Sequence, residues 1–267
     1  MKQEFLYNSP VISKDNILNN IFYDNKKIII AGPCTFASYD ELYEIALELK
    51  KLGIKYIRAG AYKGRTNPYS FQGMQDEGIE ILIKIKNELN LKIVTELMTI
   101  EQVKKYCNII DIIQVGSRNM YNYELLKELG KINTPVLLKR GLSATYEEFL
   151  LASEYILKGG NHNVILCERG IRSINPSETR NILDIQVIPY INKNSNLPII
   201  IDPSHASGKS YMVESMSKAS LIAGADGLII ETHISPKKSL CDSEQTINME
   251  QLKNILKFYE RIDKYEN

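Results

Sequence analysis

The chain has 267 residues, 44% of them hydrophobic and 24% charged, with a formal net charge of +1. This balance excludes a disordered segment, and the lack of a basic stripe or acidic tail argues against a nucleic-acid partner. No run is long enough to span a bilayer and residues 1–20 lack the apolar core of a signal peptide, so no membrane association is expected and the cytoplasm is the expected compartment.

Residues 1–27 read as an irregular N-terminal extension, with Pro10 and an Asn-rich patch over 16–25, suited to a hairpin or a cap but too short for a domain. From residue 28 a repeat sets in. Apolar strands over 28–31, 56–61 and 92–97 precede helices over 39–52, 76–89 and 100–106. Further strands are predicted at 112–116, 136–140, 164–168, 199–202 and 227–231, each followed by a helix, at 123–129, 146–157, 179–191, 210–223 and 249–265. Strands rich in Ile, Val and Leu without alternation are buried on both faces, as in a parallel sheet. Eight such units over residues 28–267 predict a single (β/α)8 TIM barrel of the α/β class, with no second domain. A doubly wound sheet would want a GxGxxG after its first strand, and Gly32-Pro33-Cys34-Thr35 is not one.

In such a barrel the chemistry lies at the C-terminal strand ends. In chain order these carry Cys34, Arg58 with Lys63, Glu96, Gln114 with Arg118, Lys139 with Arg140, Glu168 with Arg169, Asp202 with His205, and Glu231 with His233. Polar groups that follow directly on apolar runs need partners or ligands. The loop over 58–73 is the richest, delivering Arg58, Lys63 and Arg65 within eight residues, together with the hydroxyl of Thr66. With Arg118, Lys139, Arg140 and Arg169 these cations face one mouth, where their repulsion calls for a substrate, or two, with several negative charges. Arg140 reads instead as a partner of a strand-end carboxylate, Glu96 or Glu168.

Cys34, His205 and Glu231 end strands one, seven and eight, which become neighbours on closure, and Asp242 lies in the following loop. A thiolate, an imidazole and two carboxylates would suit Mn²⁺, Fe²⁺, Co²⁺ or Zn²⁺ better than Mg²⁺. No local motif joins them, and a lone cysteine after a Gly-Pro turn is more often a packed small residue. Cys107 and His162 read as structural, and His233 as either a brace for Glu231 or a structural residue. The four cysteines form no CxxC pair and suggest neither a disulfide framework nor a zinc knuckle.

From residue 28 to the last helix the chain resembles 3-deoxy-D-arabino-heptulosonate 7-phosphate (DAHP) synthase, in the short microbial form related to 3-deoxy-D-manno-octulosonate 8-phosphate (KDO8P) synthase. The resemblance is carried by Ala31-Gly32-Pro33-Cys34, Lys63-Gly64-Arg65-Thr66 with Pro68-Tyr69-Ser70-Phe71-Gln72-Gly73, Gln114-Val115-Gly116-Ser117-Arg118-Asn119 and Leu137-Leu138-Lys139-Arg140-Gly141. It continues through Leu166-Cys167-Glu168-Arg169-Gly170, Asp202-Pro203-Ser204-His205 and Glu231-Thr232-His233. It implies condensation of phosphoenolpyruvate with erythrose 4-phosphate, releasing phosphate at the entry to the shikimate route to aromatic amino acids. It also implies one divalent metal, held by Cys34, His205, Glu231 and Asp242, that polarises the aldehyde. Arg58, Lys63, Gln114, Ser117, Arg118, Lys139 and Arg169 would hold phosphoenolpyruvate, and Lys63, Arg65, Thr66 and Asp202 the aldose phosphate. Lys63 would donate to the developing alkoxide and Glu96 would accept a proton or orient water, with His205 completing the catalytic set. The family suggests a homodimer or homotetramer.

Two positions depart from the pattern. Gly64 stands where the family has proline in Lys-Pro-Arg-Thr, which leaves the unbound loop more mobile. Cys241 stands beside Asp242 where serine is usual, and is expected to approach Cys34 and let oxidation expel the metal. The rival readings are the octulosonate enzyme, which takes arabinose 5-phosphate, and a non-catalytic barrel used for binding. Arg65-Thr66 and Pro203-Ser204 favour the heptulosonate enzyme, and an intact ligand set argues against the binding module. The extension is shorter than the regulatory domains some relatives carry, so no feedback inhibition of the chain by aromatic amino acids, chorismate or prephenate is expected.

Overall fold

A computed structural model describes residues 4–22, 28–173 and 178–266. Eight parallel strands close into a barrel in sequence order: β1 (Ile28–Gly32), β2 (Tyr56–Arg58), β3 (Lys92–Glu96), β4 (Ile112–Val115), β5 (Val136–Lys139), β6 (Val164–Glu168), β7 (Ile199–Ile201) and β8 (Gly227–Glu231). Their Ile, Val and Leu side chains are buried on both faces, inside the barrel and beneath the helices. This is the (β/α)8 fold that the repeat predicts. Closure pairs Gly32 of β1 with Glu231 of β8, which puts the residues following β1 beside the end of β8.

The helices between the strands begin where the sequence supplies acceptors for their first amides. α2 (Tyr39–Lys51), α4 (Ile100–Tyr106) and α5 (Tyr123–Leu129) are capped by the side chains of Ser38, Thr99 and Asn122, while Thr145 and Glu148 form a reciprocal capping box on α6 (Tyr146–Lys158). α3 (Gln75–Leu89), α7 (Val187–Asn194), α9 (Ser210–Ile222) and α10 (Met249–Glu266) complete the ring. Ahead of the barrel, Leu6–Asn8 form a 3-10 turn and Lys14–Phe22 form α1. Their contacts fall on α6 and α7, through Glu154 and Asn192, and on residues at the N-terminal strand ends. Asn196 N donates to the Tyr7 carbonyl at 2.7 Å, Tyr56 Oη to the Ile21 carbonyl at 2.5 Å, and Lys14 pairs with Asp226 at 2.9 Å.

The structure departs from the predicted elements in several places: the extension read as irregular holds α1, and the strand expected over 56–61 ends at Arg58. The helix expected over 179–191 begins only at Val187. The amides of Arg180, Asn181 and Ile182 instead donate to the carbonyls of Ser207, Ala206 and Ile171, which hold this stretch as non-helical chain against its neighbours. A short helix not foreseen from the sequence, α8 (Pro203–Ser207), follows β7. Asp202 caps it by accepting from the His205 amide, and Pro203 occupies its first turn, where a missing N–H costs nothing.

Candidate active site and metal centre

The C-terminal strand ends surround a cavity of about 670 Å³, lined by Cys34, Arg58, Lys63, Arg65, Thr66, Glu96, Gln114, Ser117, Arg118, Lys139, Arg169, His205 and Asp242. Glu231 and Asp202 are fully buried and contact this lining through His205. Most lining groups end an apolar strand, so the barrel fixes where each one starts. Gly32 makes the turn to Cys34 possible. Its φ is +148°, and a Cβ there would lie 2.1 Å from the Arg58 carbonyl oxygen.

One ligand atom from each of Cys34, His205, Glu231 and Asp242 lies within 4.8 Å of the other three. His205 Nε2 is 3.3 Å from Glu231 Oε1, and Cys34 Sγ is 3.1 Å from Asp242 Oδ2. Asp202 holds the His205 ring by Nδ1 at 2.7 Å, which turns Nε2 towards the cluster, as second carboxylates do for metal-binding histidines. Burial pushes His205 down to about 4, so the ring is neutral and able to ligate at neutral pH. The Lys63 ammonium contacts Cys34 Sγ and sits 2.8 Å from Asp242 Oδ2, which marks this as a place where the surrounding groups attract a cation. Burial opposes the charged forms of Glu231 and Asp242, but His205 and Arg58 hold Glu231, and Lys63 holds Asp242, below the usual carboxylate range. Glu231 Oε1 is buried with no hydrogen-bond partner among the described residues. A buried carboxylate oxygen with only ion-pair neighbours, Arg58 Nη2 and His205 Nε2, set among sulfur, imidazole and a second carboxylate fits a divalent transition metal.

Beside this cluster lies a group of buried cations. Arg58 is 5% exposed and reaches Glu231 Oε1 at 3.2 Å through Nη2, while its Nε and Nη1 are buried without a partner among the described residues. Buried guanidinium donors left unpaired are costly, and an anionic ligand relieves that cost. Lys139, paired with Asp202 at 2.5 Å, and Arg169 are equally buried around the same space. Across the mouth, Arg118 donates to the Thr66 hydroxyl at 3.1 Å and the Gly64 carbonyl at 3.4 Å, joining the two loops assigned to different substrates. Glu96 accepts from Gln114 Nε2 at 3.1 Å and packs on Gly116, where a Cβ would lie 2.3 Å from Glu96 Oε1.

Arg140 lies outside the cavity lining and bonds Glu168 at 2.9 Å and Asp184 at 2.8 Å, in keeping with its reading as a carboxylate partner. Asp202, which the resemblance assigns to the aldose, is engaged with Lys139 and His205. His233 bonds Glu41 at 3.2 Å and accepts from the Ser235 amide, so it braces the end of β8. Cys241 and Cys34 lie against the same Lys63 ammonium, with Cys241 Sγ 3.2 Å from Nζ. Two residues absent from the sequence reading reach the cluster, Arg180 and Gln245. Their only signal in the sequence is that Gln245 follows Asp242 by three positions.

The model of the DAHP synthetase I family matches residues 11–266. The chain belongs to the DAHP synthetase I family. Among relatives of this family member, the phospho-2-dehydro-3-deoxyheptonate aldolase of Thermotoga maritima is 46% identical over 228 residues, covering 85% of this chain and 67% of its own. The 2-dehydro-3-deoxyphosphooctonate aldolase of Geobacter sulfurreducens is 28% identical over 258 residues, covering 90% and 93%. The crystal structure of DAHP synthase from Thermotoga maritima superposes with a TM-score of 0.85 at 43% identity, over 91% of this chain and 71% of that one. A truncated form of the Thermotoga enzyme gives 0.83 at 41% identity, over 91% and 88%. No described helix of this DAHP synthetase I chain is long and apolar enough to cross a membrane.

Proposed function

We propose that the protein is a DAHP synthase that condenses phosphoenolpyruvate with D-erythrose 4-phosphate and water, giving DAHP and inorganic phosphate. The observation that carries this reading is Arg58, whose unpaired buried guanidinium donors face the cavity beside a four-ligand cluster. Arg58, Lys139 and Arg169 are the buried cations assigned to phosphoenolpyruvate, with Gln114, Ser117 and Arg118 completing that side. Arg65 and Thr66 take the aldose phosphate. Held this way, two mutually repelling phosphates approach in attack geometry, so catalysis is mainly positioning and electrostatics. A divalent metal bound by Cys34, His205, Glu231 and Asp242 supplies Lewis acidity to the aldehyde oxygen. Mn²⁺, Fe²⁺, Co²⁺ and Zn²⁺ suit the donors better than Mg²⁺.

The enol carbon attacks the aldehyde carbon, and water adds at the phosphate-bearing carbon. Phosphate then leaves with C–O cleavage. Lys63 is held as an ammonium because the charges of Cys34, Glu231 and Asp242 outweigh its burial, and we assign it to the developing alkoxide. Glu96, fixed by Gln114 and Gly116, is assigned to accept the proton of the attacking water. Asp202 orients Lys139 and His205. A cytoplasmic homodimer or homotetramer is the working form.

The octulosonate enzyme is the second reading, favoured by the Geobacter relative and opposed by the higher identity to the Thermotoga enzyme. Phosphate release from phosphoenolpyruvate with either erythrose 4-phosphate or arabinose 5-phosphate separates them. Activity with erythrose 4-phosphate, abolished by chelator and restored by Mn²⁺, is expected. Turnover of arabinose 5-phosphate alone would replace this reading with the second. No turnover and no bound metal would favour a binding module.

A further inference from the structure

Asp242 adopts φ +58°, a left-handed conformation that aspartate tolerates better than most residues. The turn that follows is closed by the Gln245 amide and the Thr246 hydroxyl, which donate to the Asp242 carbonyl at 3.1 and 2.9 Å. The chain then runs alongside the end of β8, with Ile247 N on the Glu231 carbonyl at 2.9 Å and a parallel bridge from Thr232 to Ile247. This path brings the Gln245 side chain, only 2% exposed, back to the metal cluster. Its Nε2 donates to Glu231 Oε2 at 2.5 Å, and its Oε1 accepts from Arg180 Nη1 at 3.0 Å. The same guanidinium nitrogen donates to Asp242 Oδ1 at 3.0 Å.

The amide orientation is fixed by chemistry. Reversed, it would set a carbonyl against a carboxylate and an NH₂ against a guanidinium. Arg180 is placed in turn by its loop. Its amide donates to the Ser207 carbonyl at 3.0 Å, and Asn181 Nδ2 donates to the His205 carbonyl at 2.9 Å, so the segment that carries Arg180 is tied to the helix that carries His205.

We propose that Arg180 and Gln245 are positioning residues that hold the two carboxylate ligands of the metal, each by its outward oxygen. The proposal rests on the metal-centre reading above. With Glu231 Oε2 and Asp242 Oδ1 held from outside, Oε1 and Oδ2 face the cluster, where Arg58 and Lys63 also lie beside them, and these are the atoms next to His205 Nε2 and Cys34 Sγ. Each carboxylate then offers the metal one oxygen. Four protein donors of mixed type favour a transition metal over Ca²⁺, which seeks six to eight oxygens, and over Mg²⁺, which seeks an octahedral oxygen shell. A purely structural role fits Arg180 poorly. Its side chain is 42% exposed, and exposed ion pairs add little to stability.

The test is the Mn²⁺ dissociation constant of the metal-free full-length chain, read by competition with a fluorescent chelator in the absence of substrates. Gln245→Met and Arg180→Met are each expected to weaken Mn²⁺ binding by about 10–100-fold, the usual effect of losing an outer partner of a metal ligand. Because both act partly through one amide, the double variant is expected to lose less than the product of the single losses. The metal-free Arg180→Met chain is expected to melt near the parent, which separates loss of positioning from loss of fold. Gln245→Met, which strips a buried carboxylate oxygen of its donor, is expected to melt lower. Affinities within about twofold of the parent in both variants would overturn the proposal. Should Gln245→Met fail to fold, Arg180→Met at its half-exposed position decides alone. A parent chain that binds no Mn²⁺ would overturn the metal-centre reading itself, and the choice of aldose affects neither result.

Discussion

Cys241 is the residue whose chemistry is most particular to this chain. The neighbouring Cys34 thiol and the Lys63 ammonium, 3.2 Å from its Sγ, pull its thiol down to about 6, while Cys241 and burial push the Cys34 thiol up. Cys241 is therefore the sulfur poised to attack peroxide, forming a sulfenic acid whose hydroxyl the Cys34 thiol displaces as water to give a disulfide. Peroxide is expected to inactivate the enzyme with release of metal and recovery in dithiothreitol, and Cys241→Ser to slow this about tenfold or more. Inactivation at an unchanged rate in Cys241→Ser would remove the idea. Gly64 invites a second test. It lies outside the left-handed region, and a Cβ there meets only Met98 Sδ, at 3.3 Å. Gly64→Pro is expected to lower the KM for the aldose phosphate about two- to fivefold by reducing the freedom of the unbound loop. An unchanged or raised KM counts against it. At this scale Cys34, His205 and Glu231 were legible because each lies at or just beyond the end of an apolar run, whereas Asp242, in the loop after β8, was singled out by the resemblance. Arg180 and Gln245 were not, since only their contacts mark them.

Among elements, the strand ends carry rigid groups and the loops adaptable ones. Glu96 is fixed from two sides, by Gln114 and by the bare face of Gly116. Gly116→Ala would place a methyl 2.3 Å from the Glu96 carboxylate and force it to move. We expect kcat to fall about 10–100-fold, less than the full contribution of a general base, with the KM for phosphoenolpyruvate much less affected. A kcat within twofold of the parent would show that Glu96 is not the proton acceptor. Strands and most helices were readable because burial on both faces and side-chain caps are local signals. The stretch before α7 was misread because its amides bond to α8, a partner distant from it in sequence. Helix α8 escaped notice because its five residues are too few for periodicity, although Asp202-Pro203 is a helix-start pair.

For the whole molecule, the barrel separates its two ends. α1 packs at the N-terminal strand ends, opposite the cavity. A ligand that binds only the folded cluster stabilises the fold by mass action, about 2.7 kcal/mol at a hundredfold excess over Kd. For a domain of this size that corresponds to a rise in Tm of roughly 5–10 °C, to be read by calorimetry with Mn²⁺ against chelator. A Tm indifferent to the metal would speak against binding at the barrel seam. The barrel itself was legible from its eightfold repeat, and its closure places Cys34 beside Glu231 as the strand order requires.

That seam has a consequence for biosynthesis. The ligands run from residue 34 to residue 242, joining the first strand to the loop beyond the last. A chain still emerging from the ribosome, or one cut short before that loop, presents a cysteine and later a histidine but never the full set. On the proposed ligand set, metal loading is expected only after the loop that carries Asp242 has joined the barrel, and metal content would report that late step.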